Sequence, residues 1–286
     1  MGIWGLSFLA TKELLPVLPV RALLFARFAI AAVALAAFGA VRGRGALRVP
    51  ARDLVFLAVL TVLSPVGYYL FETYGVAATQ ASHVSILIAT IPVGVYLIAF
   101  ARRMERVTWR RTLGIALAVG GVLLLVDSSS GEAGASLVGD LLVLGAVACA
   151  AVQTVMLKTA LERITPLQLT FYQTLFSLVV FGPLAASHGF AWVGELSASA
   201  WGMLLFLAIF CSGVAFLAMN YALIHLSATS VSVSTNLVPV VTLLAEAALF
   251  SVPITPAKIA GTALILVGVV ATQTAATPAV PSSGGG

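Results

Sequence analysis

Charge is what this sequence has least of. Only 9% of its 286 residues are Asp, Glu, Lys or Arg, where a soluble domain carries about 25%. A globule of this size would lack the charge to coat itself in water. Histidine and cysteine are scarce as well, at three and two residues. That scarcity and the lack of a His-Glu-x-x-His helix leave little material for a metal site, so no cofactor is expected. Cys149 and Cys211 both fall inside apolar stretches and read as packed free thiols, not as a disulfide. The chain has no Gly-x-x-x-x-Gly-Lys-Ser/Thr loop, which excludes ATP-driven transport by this chain alone, and no Gly-x-Ser-x-Gly elbow. Ten-residue alternation is missing too, which excludes a spanning β-barrel.

What is there instead is apolar and blocky. Hydrophobic residues make up 61% of the chain, with a mean hydropathy of +1.11. They gather in runs near the length of about 20 residues that crosses a bilayer. The runs predict an all-α integral membrane protein with ten transmembrane helices, at about 1–14, 16–41, 54–77, 80–101, 109–127, 137–160, 166–187, 200–224, 228–250 and 256–275. The net charge of +5 does not point to nucleic acid, because 11 of the 15 basic residues sit in alternate short connections. Arg42, Arg44, Arg48 and Arg52 follow the second helix, and Arg102, Arg103, Arg106, Arg110 and Arg111 follow the fourth. Lys158 and Arg163 mark the end of the sixth. By the positive-inside rule both termini are expected in the cytoplasm. The Pro-, Ser- and Gly-rich tail 276–286 is expected to be disordered.

Sliding the chain by 147 positions lays one half on the other. Pro92 meets Pro239, Tyr74 meets Tyr221, Ser85 meets Ser232, Gly114 meets Gly261 and Gly121 meets Gly268. Over 54–123 there are 17 identities in 70 positions, against about seven expected by chance for this composition. The halves, 1–127 and 137–275, are each expected to hold five helices. An odd number inserts the second half upside down, the inverted repeat of many secondary transporters. Relative to its counterpart the first helix is shorter by about ten residues, as a truncated or mis-assigned start would make it.

The same residues resemble the drug/metabolite transporter superfamily, and within it the EamA-domain carriers. Trp4-Gly5-x-x-Phe8-x-x-x-Lys12 is similar to the end of that family's first helix, and Arg27-Phe28 to its second. Leu87-x-x-x-x-Pro92, Glu105-Arg106-Val107-Thr108, Gly114 and Gly121-Val122 resemble the repeat signature. Leu237-Val238-Pro239, Thr255, Gly261 and Gly268-Val269 duplicate it. Val252-Pro253-Ile254-Thr255 departs from it, standing where the family often has Glu-Arg-x-Thr. The resemblance implies a ten-helix carrier with a central cavity, moving amino acids, nucleotide sugars or other small organic solutes, often outward.

Ionisable groups inside spans are costly, which makes each a functional candidate. Arg27 is either a substrate-carboxylate anchor or half of a structural ion pair; Glu246 is either its partner or a group facing water. Ser64, Tyr68 and Glu72 recur at helical spacing as a polar stripe. His83 lies at similar depth, so Glu72 and His83 form either a proton-exchanging outer gate or two solvated helix ends. Asn220, Tyr221 and Asn236 read as either cavity lining or interhelical glue. Trp4, Phe8, Tyr68 and Tyr69 are candidate aromatic walls, and Gln153 a further polar one. Pro92 and Pro239 each remove a backbone donor, marking bends. The function expected is a secondary carrier, a monomer or weak dimer in the lipid bilayer, moving small amphipathic metabolites with protons as an optional coupling ion. The alternatives are a nucleotide-sugar or drug carrier of the same fold, a channel, or a membrane-embedded enzyme.

Overall fold

The computed structural model describes residues 2–43, 45–79, 81–104, 108–129, 136–187, 189–250 and 255–274. The tail 276–286, the loop motif at 105–107 and the departure at 252–254 lie outside the described residues. All regular structure among the described residues is helical. The chain begins with α1 (Gly2–Leu14), α2 (Val20–Arg42) and α3 (Ala51–Thr61). A kinked segment, Val62–Gly67, leads into α4 (Tyr68–Ala78). Then come α5 (Ala81–Ile88), α6 (Ile91–Ala101), α7 (Trp109–Ser129), α8 (Leu137–Ala160) and α9 (Pro166–Ala186). After a short α10 (Trp192–Glu195), α11 (Ala198–Leu205) passes through a π-helical stretch, Phe206–Val214, into α12 (Ala215–His225). The remainder is α13 (Ala228–Val233), a 3₁₀ turn at Ser234–Asn236, α14 (Leu237–Phe250) and α15 (Pro256–Thr274).

Six stretches among the described residues are long and apolar enough to cross a membrane: Val20–Arg42, Ala51–Ala78, Leu137–Ala160, Pro166–Ala186, Ala198–His225 and Ala228–Leu249. Outward-facing side chains such as Val33, Val41, Val55 and Val179 are largely exposed, a surface that lipid solvates and water does not. The protein is therefore a multi-pass membrane protein. The other expected spans take different forms. The first is a 13-residue helix, the fourth is divided between α5 and α6, and α7 and α15 are continuous helices of 21 and 19 residues.

Local chemistry explains where helices start and break. Thr165 accepts from the Gln168 backbone N–H while the Gln168 side chain accepts from the Thr165 N–H, and Pro166 fills the first helical position, so α9 starts with a complete capping box. Pro92 stands in the first turn of α6, just beyond the break at 89–90. Pro239 stands in the first residues of α14, just beyond the 3₁₀ turn. Pro65 lies in the Val62–Gly67 kink, beside Ser64 in an extended conformation (φ −156°, ψ 134°). The π-helical stretch Phe206–Val214 covers the positions 147 residues further on. Such turns leave carbonyls without helical partners, and side chains supply them. Ser64 O accepts from Gln153 Nε2 at 3.1 Å and Gln173 Nε2 at 2.9 Å. Cys211 O accepts from Trp4 Nε1 at 3.2 Å.

The helices pack in pairs: α7 on α15, α2 on α9, α8 on α4 and α6, and α1 on α14. The first pair touches backbone to backbone. A Cβ on Gly121 would lie 2.5 Å from Gly261 O, and one on Gly268 would lie 2.6 Å from Ala118 N and against Gly114 O. The contact is reciprocal: Gly121 meets Gly261 and Gly268 meets Gly114, two contacts that exchange under the 147-residue shift.

Two lysines close helix ends. Lys12 Nζ, at the end of α1, donates to Val76 O and Thr79 O at the C-terminus of α4 (2.9 and 2.7 Å). Lys158 Nζ, at the end of α8, donates to Leu223 O and, at 2.8 Å, to Leu226 O at the C-terminus of α12. A cation there neutralises the negative end of the helix dipole, worth up to about 2 kcal/mol when partly buried. Lys12→Met and Lys158→Met should each lower the melting temperature in detergent, whereas Arg21→Met, at an exposed site, should not. An unchanged melting temperature in both lysine variants would remove the capping role.

Candidate functional site

A cavity of about 70 Å³ lies where α1, α4, α8, α12 and α13 converge. Trp4 and Phe8, one turn apart on α1, form one wall. Tyr68 and Glu72, stacked by four-residue spacing on one face of α4, form the second together with Ser64 from the kink before it. Gln153 and Thr154 of α8, Phe216 and Met219 of α12, and Ser232 and Thr235 close the rest. Trp4 meets Phe216 edge-on at 5.3 Å between ring centres, and Tyr68 meets Tyr69 at 5.0 Å. The volume holds a few waters and is far below the ~300 Å³ at which drug-sized pockets begin.

Two opposite charges are buried near this cavity. Glu72 is 2% exposed, and its carboxylate accepts from Thr73 Oγ1 at 2.9 Å while bordering the cavity. Arg27 is 1% exposed and turned elsewhere. Its Nε donates to Ser212 Oγ at 2.6 Å, its Nη2 donates to Tyr69 Oη at 3.2 Å, and its guanidinium carbon sits 4.4 Å from the Tyr69 ring centre. No ion pair within 4 Å joins Arg27 to Glu72 among the described residues. The rings of Tyr69 and Phe28 lie beside the guanidinium, and Phe181 packs on Phe28, a setting in which cation–π attraction is strong.

Of the residues singled out in the sequence, Trp4, Phe8, Tyr68, Tyr69, Glu72 and Gln153 border the cavity. Asn220 is buried but faces α9, its Nδ2 donating to Thr170 Oγ1 at 3.0 Å. Asn236 is buried and is not among the residues that line the cavity, and its Oδ1 has no hydrogen-bond partner among the described residues. Tyr221 is 61% exposed and meets His225 edge-on on the outer face of α12. The side chains of His83 and Glu246 lie outside the described residues. Sequence reasoning missed Gln173, Ser212, Phe216 and Met219. Gln173 had a signal, an amide inside an apolar span. Phe216 and Met219 had none, being indistinguishable from packing residues.

Comparison with known proteins fits this architecture. The profile of the EamA-like transporter family matches residues 1–127 and again 137–274. An uncharacterized transporter of Archaeoglobus fulgidus is 28% identical over 266 residues, covering 93% of each chain. A probable terminal-alkyne amino-acid exporter of Streptantibioticus cattleyicolor is 30% identical over 268 residues, covering 93% of this chain and 88% of the relative. An uncharacterized transporter of Bacillus subtilis is 29% identical over 283 residues, with coverage of 94% and 88%. A solved crystal structure superposes with a TM-score of 0.74 at 20% identity, over 95% of this chain and 93% of the other, which is a likeness of fold. With a family profile matched across both halves of a helical membrane fold that encloses a cavity, this chain belongs to the EamA-like transporter family.

Proposed function

We propose that this protein is a secondary carrier that exports small amphipathic metabolites, amino acids among them, by alternating access between two inverted five-helix repeats, ten transmembrane segments in all. One observation carries the reading: the cavity is built jointly by residues from both halves, Trp4, Tyr68 and Glu72 from the first and Gln153, Phe216 and Ser232 from the second. Solute bound between two halves is exposed to either side as they rock. The reciprocal glycine contact of α7 with α15, and helix breaks at positions 147 residues apart, support a two-fold relation between the halves. The Streptantibioticus cattleyicolor relative, named for amino-acid export, favours that solute class. The arginine-rich connections favour cytoplasmic termini and a bacterial inner membrane. A nucleotide-sugar substrate is disfavoured, since no lysine or arginine is among the described residues that line the cavity.

The test is release from proteoliposomes. Vesicles loaded with the twenty amino acids and a set of metabolites should lose one chemical class selectively, relative to protein-free vesicles. Absence of any selective loss, from protein shown to be folded, overturns the carrier reading. Proton coupling is a separate arm. Glu72→Gln should abolish any pH-dependence of release, and a pH-dependence that survives the substitution removes Glu72 as the proton-carrying group.

A further inference from the structure

We infer that the cavity recognises its solute through a positively charged amine, with Glu72 as the anchoring anion, and discriminates against a free carboxylate. The inference rests on the cavity being the transport site, and it narrows the solute from amphipaths in general to ammonium-bearing ones. Three observations converge on it.

The first is the carboxylate itself. Glu72 borders the cavity, is nearly fully buried, receives a hydrogen bond from its neighbour Thr73, and has no basic side chain within ion-pair distance among the described residues. A buried carboxylate needs a cation or several donors, and an ammonium group in the cavity supplies a charge and three donors at once.

The second is the direction in which the hydroxyl protons point. Ser7 Oγ donates to Trp4 O at 2.7 Å, Thr154 Oγ1 to Ala150 O at 2.7 Å, Ser232 Oγ to Thr229 O at 2.9 Å, and Thr235 Oγ1 to Ser232 O at 2.5 Å. The Gln153 amide donates to Ser64 O. The hydroxyl protons of Ser7, Thr154, Ser232 and Thr235 are engaged with the backbone, so these four offer lone pairs to the cavity, while Gln153 commits one of its two N–H bonds. Four acceptor hydroxyls around a carboxylate suit a donor-rich cation better than an anion.

The third is the placement of the aromatic rings and of Arg27. Trp4, Phe8, Tyr68 and Phe216 border the same cavity, and aromatic faces attract ammonium groups. Arg27, the group that would anchor a carboxylate, is bound to Ser212 and the Tyr69 hydroxyl and does not line the cavity.

The experiment uses three probes that share one phenyl ring: phenethylammonium, zwitterionic phenylalanine and 3-phenylpropionate. Their binding to the purified, detergent-solubilised full chain is measured by calorimetry at neutral pH. The expected order places phenethylammonium at least about tenfold tighter than 3-phenylpropionate, with phenylalanine between, tenfold being the effect of one charge-assisted contact. Glu72→Gln should erase the preference and Glu72→Asp should keep its sign, so a folding defect in one variant does not decide the matter. Tighter binding of the anion or the zwitterion, a preference unchanged in Glu72→Gln, or no binding of any probe overturns the inference. Release from proteoliposomes, measured on the same preparation, judges the carrier reading separately. Selective release of an anionic solute sinks the amine and keeps the carrier, whereas amine binding without release of any solute does the reverse.

Discussion

Arg27→Met should leave almost no folded, monodisperse protein after extraction, a larger loss than from any other single side-chain deletion in the helical core. The guanidinium is 1% exposed and satisfies two hydroxyls, those of Ser212 and Tyr69. Its removal leaves those hydroxyls without their donor, about 1–3 kcal/mol each. It also forfeits the face-on contact with the Tyr69 ring at 4.4 Å, about 2 kcal/mol when desolvated. The total approaches the lower end of the ~5–15 kcal/mol that holds a folded protein together. A further cost is electrostatic, because Glu72 would stay buried with the interior positive charge gone. Arg27→Met combined with Glu72→Gln should therefore recover part of the loss, and the recovery measures the coupling between two charges that do not touch. Arg27→Lys should fold but melt lower, since an ammonium cannot reproduce the fork or its stacking. Size-exclusion profiles and melting temperatures in detergent are the readouts. A melting temperature for Arg27→Met equal to that of the parent protein would show that the buried arginine has no structural role.

Gly268→Ala is the second large effect, and it adds a single methyl group. That methyl would lie 2.6 Å from Ala118 N and against Gly114 O, both backbone atoms that cannot rotate away. The whole of α15 must move off α7. Overpacking of this kind costs about 1–3 kcal/mol, and more here because close approach is itself the attraction between helices in lipid, where no hydrophobic effect drives them together. Gly121→Ala should cost a similar amount through Gly261 O and Ile265 N, because the contact is reciprocal. Gly120→Ala is the control: a Cβ there meets nothing within 4 Å, and alanine is the better helix former. The expected order of melting temperatures is Gly120→Ala at or above the parent protein, with Gly121→Ala and Gly268→Ala well below. Equal values for all three would mean that α7 and α15 do not pack through their glycines.

The sequence by itself determined the features that depend on local chemistry and on the solvent. Low charge and long apolar runs require a membrane-embedded helical chain, because a backbone in lipid has no other way to satisfy its hydrogen bonds. Thr165-Pro166-x-Gln168 dictates where α9 starts, and Pro92 and Pro239 lie where helices restart, since each lacks a donor for the preceding turn. The stripe of Ser64, Tyr68 and Glu72 was legible from its spacing, and so was the shared face of Trp4 and Phe8. What spacing does not say is which face meets the cavity. Tyr68 borders it while Tyr221 faces outward, Asn220 turns to α9 and Asn236 is not among the lining residues, although all four read alike as polar or aromatic residues in apolar helices. In water the polar face of a helix points outward and betrays the packing; in lipid both faces are apolar, and only the arrangement of neighbours separates them. Tertiary structure also decided the π-helical stretch at Phe206–Val214, where no proline or charge marks a break. Its cause lies some 185 to 207 residues away in sequence, where Arg27 takes Ser212 and Trp4 takes the Cys211 carbonyl. The turn of Arg27 away from the cavity was decided in the same way, by partners that no local pattern brings together.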